Sequence, residues 1–211
     1  EHDALPIWYA LAFAINSRGP DHLNTECLAE FGGDSEAIRV IENITGSGSY
    51  AYPHTTDKRG EIVRWHEDIY GASDCTGICA FATTAQFWID EEDIANLYSS
   101  ATGIEIDSKA VMEAGRRIIT LERLYNAIQG RTREEDVLPY RLMNEVQKDA
   151  LHNNAINSKE ILDIMKDEYF SLHKWDLNTG WPTKKVLKEL DMDELYSKIS
   201  QYIELEEEGV Q

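Results

Sequence analysis

Cysteine is scarce in this sequence: three residues, Cys27, Cys75 and Cys79, in a chain of 211. An odd count that small builds no self-contained disulfide framework and suits a reducing compartment. Basic residues are also short, twenty Lys and Arg against thirty-nine Asp and Glu, for a formal charge of −19. Such a chain repels phosphate backbones and anionic lipid surfaces, so nucleic acid and membrane are poor partners. No apolar run is long enough to cross a bilayer, and no charged-then-apolar leader precedes a cleavage site. Internal repeats, a Gly-rich phosphate loop and a Ser-His-Asp signature are missing as well. What remains is an ordinary globular composition, 42% apolar and 28% charged, long enough for one sizeable core. The expectation is a soluble, cytoplasmic protein forming one domain over residues 1–211.

Helical signals dominate. Leu5 to Asn16 is nearly all apolar, as in a helix buried on most sides, and Ser17-Arg18-Gly19-Pro20 stops it, leaving His22 in the following loop. Residues 24–60 are turn-rich around Phe31–Asp34 and Gly46–Ser49, with room for a short helix between; His54 reads as an ordinary loop residue and Cys27 as buried. Glu61 to Ala72 carries a helical stripe, and Ala80, Phe81, Ala82 and Ala85 suggest a further helix from Thr76 onward.

Asp90 can cap a helix running through Ala101 to Gly103, and Asp107 a long one ended by Gly130. In the latter Val111, Ala114, Ile118, Leu121, Tyr125 and Ile128 recur at core spacing. The opposite face bears Arg116, Arg117 and Arg123, followed by Arg131 and Arg133. That run reads as a solvated face with partners such as Glu113, or as a dock for an acidic electron carrier. Asn157 and Glu160 form a capping-box pattern, Trp175 to Pro182 a turn, and Thr183 a helix start. Leu195 to Ile203 marks the last helix, before an acidic tail from Glu204 to Gln211. An all-α, irregular helical bundle is predicted.

The densest chemistry lies in Asp74-Cys75-Thr76-Gly77-Ile78-Cys79. Thiols four apart can be buried neighbours on one helix face. With His66 they can form part of a metal site, although zinc prefers a two-residue spacing. A single thiolate at a helix start can also complete a cluster whose other ligands lie elsewhere. Glycine at 77 permits either a plain turn or the close approach of a planar group. Spacing alone leaves these readings open.

A wider pattern bears on the choice. Arg18-Gly19-Pro20-Asp21-His22, Asp74-x-x-Gly77-Ile78-Cys79, Glu122-Arg123-Leu124-Tyr125-Asn126 with Gly130, Asp136 to Arg141, and Trp175-Asp176 with Gly180-Trp181-Pro182-Thr183 occur in that order. Together they resemble the C-terminal region of the tungsten-containing aldehyde ferredoxin oxidoreductases, with Ile78 where the family has Leu. The resemblance implies a helical C-terminal domain in which Cys79 ligates a 4Fe-4S cluster. It places Asp74, Gly77 and Ile78 beside a pterin of a tungsten-bis(molybdopterin), and gives His22 a part in moving substrate protons. It implies oxidation of aldehydes to acids with electrons passed to ferredoxin. It further implies that the chain is a fragment lacking the pterin-binding and middle domains, inactive alone and binding no cofactor by itself. Two alternatives stand beside it: part of a benzoyl-CoA reductase-type tungsten subunit, and a helical interaction subunit without cofactor. Cys75 is not part of the family pattern.

Overall fold

A computed structural model describes residues 7–25, 35–51, 56–146 and 156–209. Every regular element among them is helical, and the one β-bridge joins Trp175 to Pro182. The helices are α1 (Ile7–Ile15), α2 (Ser35–Thr45), α3 (Arg59–Thr76), α4 (Glu91–Thr102), α5 (Ser108–Ile128), α6 (Tyr140–Asn144), α7 (Lys159–His173), α8 (Lys184–Glu189) and α9 (Asp193–Ile199). Short 3-10 turns at Leu23–Thr25 and Gly48–Ala51 and a π-helical turn at Phe81–Ala85 connect them.

The predicted caps match for three helices. Asp90 accepts from Glu92 N and Asp93 N while the Asp93 side chain returns to the Asp90 backbone, a complete capping box, and Gly103 closes α4 at φ 74°. Asp107 accepts from Ala110 N at the start of α5, and Thr183 from Val186 N at the start of α8. For α7 the cap is Ser158, which accepts from Ile161 N, rather than Asn157, which is buried one residue earlier. The short helix expected inside residues 24–60 is α2. Cys27, His54 and Phe31–Asp34 lie outside the described residues.

α3 is the axis of the bundle. It packs most extensively on α5 and α7, and α1 lies against both α3 and α7. Two crossings are close enough to demand glycine. A Cβ at Gly115 on α5 would sit 1.7 Å from Asp68 O, with Gly71 of α3 facing the same crossing. A Cβ at Gly60 would sit 2.7 Å from Tyr169 N on α7. Leucines and aromatics then fill the space between: Leu11, Val63, Ile119, Leu162, Met165, Tyr169, Phe170 and Trp175 form one continuous core.

The crossing at Gly115 rotates α5 away from its expected face. Val111, Gly115, Ile119, Leu124 and Ala127 are buried, whereas Leu121 and Tyr125 are 48% and 65% exposed and Ala114 is exposed too. Apolar periodicity defines a broad stripe, and the point where backbones touch decides which edge of it faces inward. The arginines of this segment are correspondingly not a free solvated face. Arg116 bonds the buried Asp68 at 2.8 Å, Arg123 and Arg131 both pair with the buried Asp136, and Arg133 reaches Asp167 and Asp163. Arg117 alone keeps the expected Glu113 partner.

The acidic tail also differs from a solvated end. Ile203 and Leu205 are buried with Leu124, Ala127, Leu187 and Ile199. Lys184 N and Lys185 N donate to Glu206 O and Glu207 O, so this strip is tied across the start of α8, with only its carboxylates facing water.

Candidate functional site

The hexapeptide sits where α3 ends. Gly77 adopts φ 76°, its N–H meets Asp74 O, and Ile78 N meets Ser73 O at 3.0 Å, which together make a Schellman cap. Such a cap calls for an apolar residue just past the glycine that packs inward, and Ile78 does so against the cluster of Ile69, Ala72, Ile94, Ala95 and Val111. Part of the motif is therefore explained by chain geometry: glycine for the left-handed turn, isoleucine for the staple. A Cβ at Gly77 would meet nothing within 4 Å, so the surface over that turn is open.

Beyond the cap the chain is fastened again. Ala82 N donates to Cys79 O at 2.9 Å, opening the π-helical turn, and Ser73 Oγ donates to Thr83 Oγ1 at 3.1 Å, holding that turn against α3. The helix expected from Thr76 is thus only this five-residue π turn, because Gly77 in the left-handed region ends α3 first. π turns of this kind are common at functional sites. Cys79 stands between two hydrogen-bonded turns with its thiol exposed.

Cys75 is exposed as well, but on the last turn of α3. The buried-neighbour reading of the two thiols is corrected on both counts: neither is buried, and the cap between them takes them off a common helix face. His66 does not join them. It is buried, with Nδ1 bonded to Ile62 O at 2.9 Å and its ring against Trp65 and Phe87, and burial holds its pKa down at about 4. Among the described residues no three His, Cys, Asp or Glu side chains gather as a metal site. A cluster held by Cys79 therefore takes its other thiolates from outside these residues, a role that an exposed, backbone-fixed thiol fits. Asp74 fits the pterin role equally: its carboxylate is exposed and makes no side-chain bond among the described residues.

His22 is exposed, in the loop between α1 and the Leu23–Thr25 turn. Sequence reasoning placed it correctly in a loop but showed nothing of how the loop is held. Asn16 Nδ2 donates to Asp21 O and Arg18 N to Asn16 Oδ1. Asp21 accepts from Leu23 N and pairs with Arg18, whose guanidinium also donates to Asn24 Oδ1 and to Tyr70 Oη on α3. The turn after His22 packs on α3 and on the π turn, so the histidine loop and the cysteine turn belong to the same end of α3.

The remaining blocks meet at one buried clamp. Arg123 donates through both terminal nitrogens to the two Asp136 oxygens, at 3.0 and 2.7 Å, and through Nε to Gly180 O. Arg131 adds a bond to Asp136 and donates to Ala14 O and Asn16 O at the end of α1, while Trp181 Nε1 donates to Arg131 O. Gly180, at φ 69°, leaves no room for a Cβ, which would lie 2.5 Å from Arg123 Nη2. The clamp's output is position: it fixes the end of α1, from which the His22 loop departs.

Two aromatics near the motif are exposed. Phe81, read from the sequence as part of a helix from Thr76, is 58% exposed, and Trp88, which the sequence did not single out, is 73% exposed, with its backbone N–H bonded to Ala82 O. Their signal was position, since large aromatics between a cysteine turn and an Asp90 cap have no helix face to bury on.

Comparison with protein families matches residues 5–192 to the family described as aldehyde ferredoxin oxidoreductase, domains 2 and 3. Among solved structures, the active site complex BamBC of benzoyl coenzyme A reductase, in complex with 1,5-dienoyl-CoA, is similar with a TM-score of 0.71 and 19% sequence identity. The match covers 94% of this chain and 32% of that one, so at this identity it speaks for the fold, over about a third of the larger protein. No curated protein matches.

Proposed function

The chain belongs to the family of aldehyde ferredoxin oxidoreductase domains 2 and 3, and from that premise we propose that it is the C-terminal helical domain of a tungstopterin oxidoreductase that converts aldehydes to carboxylic acids. The chemistry supplied by such a bound cofactor is the oxidation itself, with two electrons leaving through a 4Fe-4S cluster to ferredoxin. The residues of this chain bind, orient and move a proton. Cys79 offers one thiolate to the cluster. Asp74 presents acceptor oxygens to the N–H groups of a pterin, and the open face of Gly77 lets that planar group come close to the backbone. Ile78 holds the turn in shape from beneath. His22, exposed in its loop, takes the proton released at the substrate.

The observation that carries this reading is the exposure of Asp74 and Cys79 on a turn that is hydrogen-bonded on both sides. A ligand that completes a site built largely by other domains must be rigid and uncovered in its own domain. Taken alone, the chain is expected to purify colourless and inactive. In the full-length enzyme Cys79→Ala should abolish the visible iron–sulfur absorbance and Cys75→Ala should retain it, because only Cys79 lies past the cap. Loss in the Cys75 variant with retention in the Cys79 variant would overturn the assignment.

The likeness to a benzoyl-CoA reductase complex favours a second reading, in which the parent reduces an aromatic thioester. Assaying one preparation for aldehyde oxidation and for thioester reduction separates the two. A colourless full-length protein active in neither assay would point to a helical subunit without cofactor.

A further inference from the structure

The interior holds an acid that no step above uses. Glu67 lies in the middle of α3, 3% exposed, and Tyr169 Oη donates to its Oε2 at 2.5 Å. Among the described residues no cation stands within ion-pair distance of it. Arg123 is committed to Asp136 and Gly180 O. Beside Glu67 is a cavity of about 10 Å³ bordered by Ser17, Glu67, Glu122, Arg123, Tyr169 and Trp175. That is about the space one water needs, and a buried water also needs two to four polar partners. The lining supplies them: besides the two carboxyl groups, Trp175 is 3% exposed and its Nε1–H finds no acceptor among the described residues. On the outer side Ser17 Oγ donates to Glu122 Oε2 at 2.5 Å.

We propose that one water held in this pocket, accepting from the Trp175 indole N–H, joins Glu67 to Glu122, and that Glu67 holds a proton there which it can pass through this water to Glu122. The Glu67 proton goes to the water oxygen as one of the water's own protons goes to a Glu122 oxygen, so one proton moves outward and the water stays neutral. An isolated carboxylate in the core is too costly to persist without a cation. Burial accordingly pushes Glu67 up to about 8, with Asp68 and Glu122 adding to the effect while the Tyr169 bond and Arg123 oppose it. These are the groups that face it from α3, α5 and α7; the α1 side contributes Ile15 and the Ser17 hydroxyl, neither of which titrates. The chain of bonds ends at Ser17, in the loop that carries His22. That this outlet serves substrate protons rests on the proposed oxidoreductase reading; the water and the stored proton do not.

Infrared spectroscopy of the full-length protein tests it without reference to cofactor content or turnover, so failure of the aldehyde assay and failure here are separate results. Near neutral pH the wild type should show the C=O stretch of a protonated carboxyl that moves on transfer to deuterated water, disappears as pH is raised past about 8, and is absent from Glu67→Gln. Glu122→Gln should keep that band but shift its frequency, because the water loses its second carboxylate. Tyr169→Phe, which removes the direct donor, should shift it too, and keeps the assignment testable if Glu67→Gln folds poorly. A wild type without the band near neutral pH, or a band unaltered by both Glu67→Gln and Tyr169→Phe, would overturn the stored proton. A band unmoved by Glu122→Gln would overturn the water bridge.

Discussion

Glu67 and Asp68 are consecutive on α3 and both lie in the core, where carboxylates are expensive. Burial raises Asp68 from 3.8 to about 6 even though Arg116 bonds it at 2.8 Å and Arg64 stands 3.8 Å away, because two partly exposed guanidiniums do not repay the lost hydration. The same burial lowers His66 to about 4 and His173 well below 6.5, the latter helped by Arg64, Arg116 and Arg123. The two kinds of group give stability opposite slopes. Between about 4.5 and about 8 unfolded Glu67 is ionised while folded Glu67 keeps its proton, so stability falls as pH rises through that window. Below about 6.5 the unfolded histidines take up protons that the folded ones refuse, so stability falls as pH drops. Glu67→Gln removes one acid from this balance. In denaturant unfolding, its stability relative to wild type should rise by up to about 1.4 kcal/mol per pH unit within the acid window; a difference constant with pH would mean that Glu67 ionises normally. His22 belongs to the same scale. His22→Asn in the full-length enzyme should keep tungsten and cluster while lowering aldehyde turnover ~100-fold to ~10,000-fold, and unchanged turnover at full tungsten content would make it an ordinary loop residue.

Helix ends and helix crossings obey different rules. Ends are settled by a few neighbouring residues, which is why Asp90, Gly103, Asp107 and Thr183 could be recognised from their immediate surroundings. Crossings are settled between elements. Gly71 and Gly115 look like weak points in their helices, since glycine costs about 1 kcal/mol against alanine in a helix interior, and their purpose appears only when α3 and α5 are brought together. Two Gly→Ala changes separate these effects. Gly77→Ala places a Cβ in open space but at φ 76°, so about 1–2 kcal/mol should be lost. Gly115→Ala drives a Cβ into the backbone of Asp68, which no rotamer can relieve, and should cost about 3 kcal/mol or more. Unfolding midpoints of the two variants decide the order, and similar losses would mean that the crossing relaxes easily.

Across the whole molecule, the Arg123–Asp136 clamp ties together α5, the loop after it, the Trp175–Pro182 turn and the end of α1. Asp136→Ala should cost about 3–5 kcal/mol, because it leaves the buried Arg123 uncompensated. Arg123→Met/Asp136→Leu, which removes both charges, should cost less than that single change; a larger loss in the double variant would mean that the clamp's hydrogen bonds to Gly180 and its neighbours matter more than its charge balance. By itself the sequence determined the helical class, most of the caps and the position of the Asp74–Cys79 turn, because these depend on contacts within a few residues along the chain. The blocks that carried the family resemblance were equally plain as text, yet their text could not say that Arg123, Asp136 and Gly180 are one structural clamp whereas Asp74 and Cys79 stand uncovered. Only the tertiary structure decided that. Arg123 meets partners 13 and 57 residues away, the face of α5 turns on a backbone contact at Gly115, and the exposure of a thiol depends on everything that fails to pack over it.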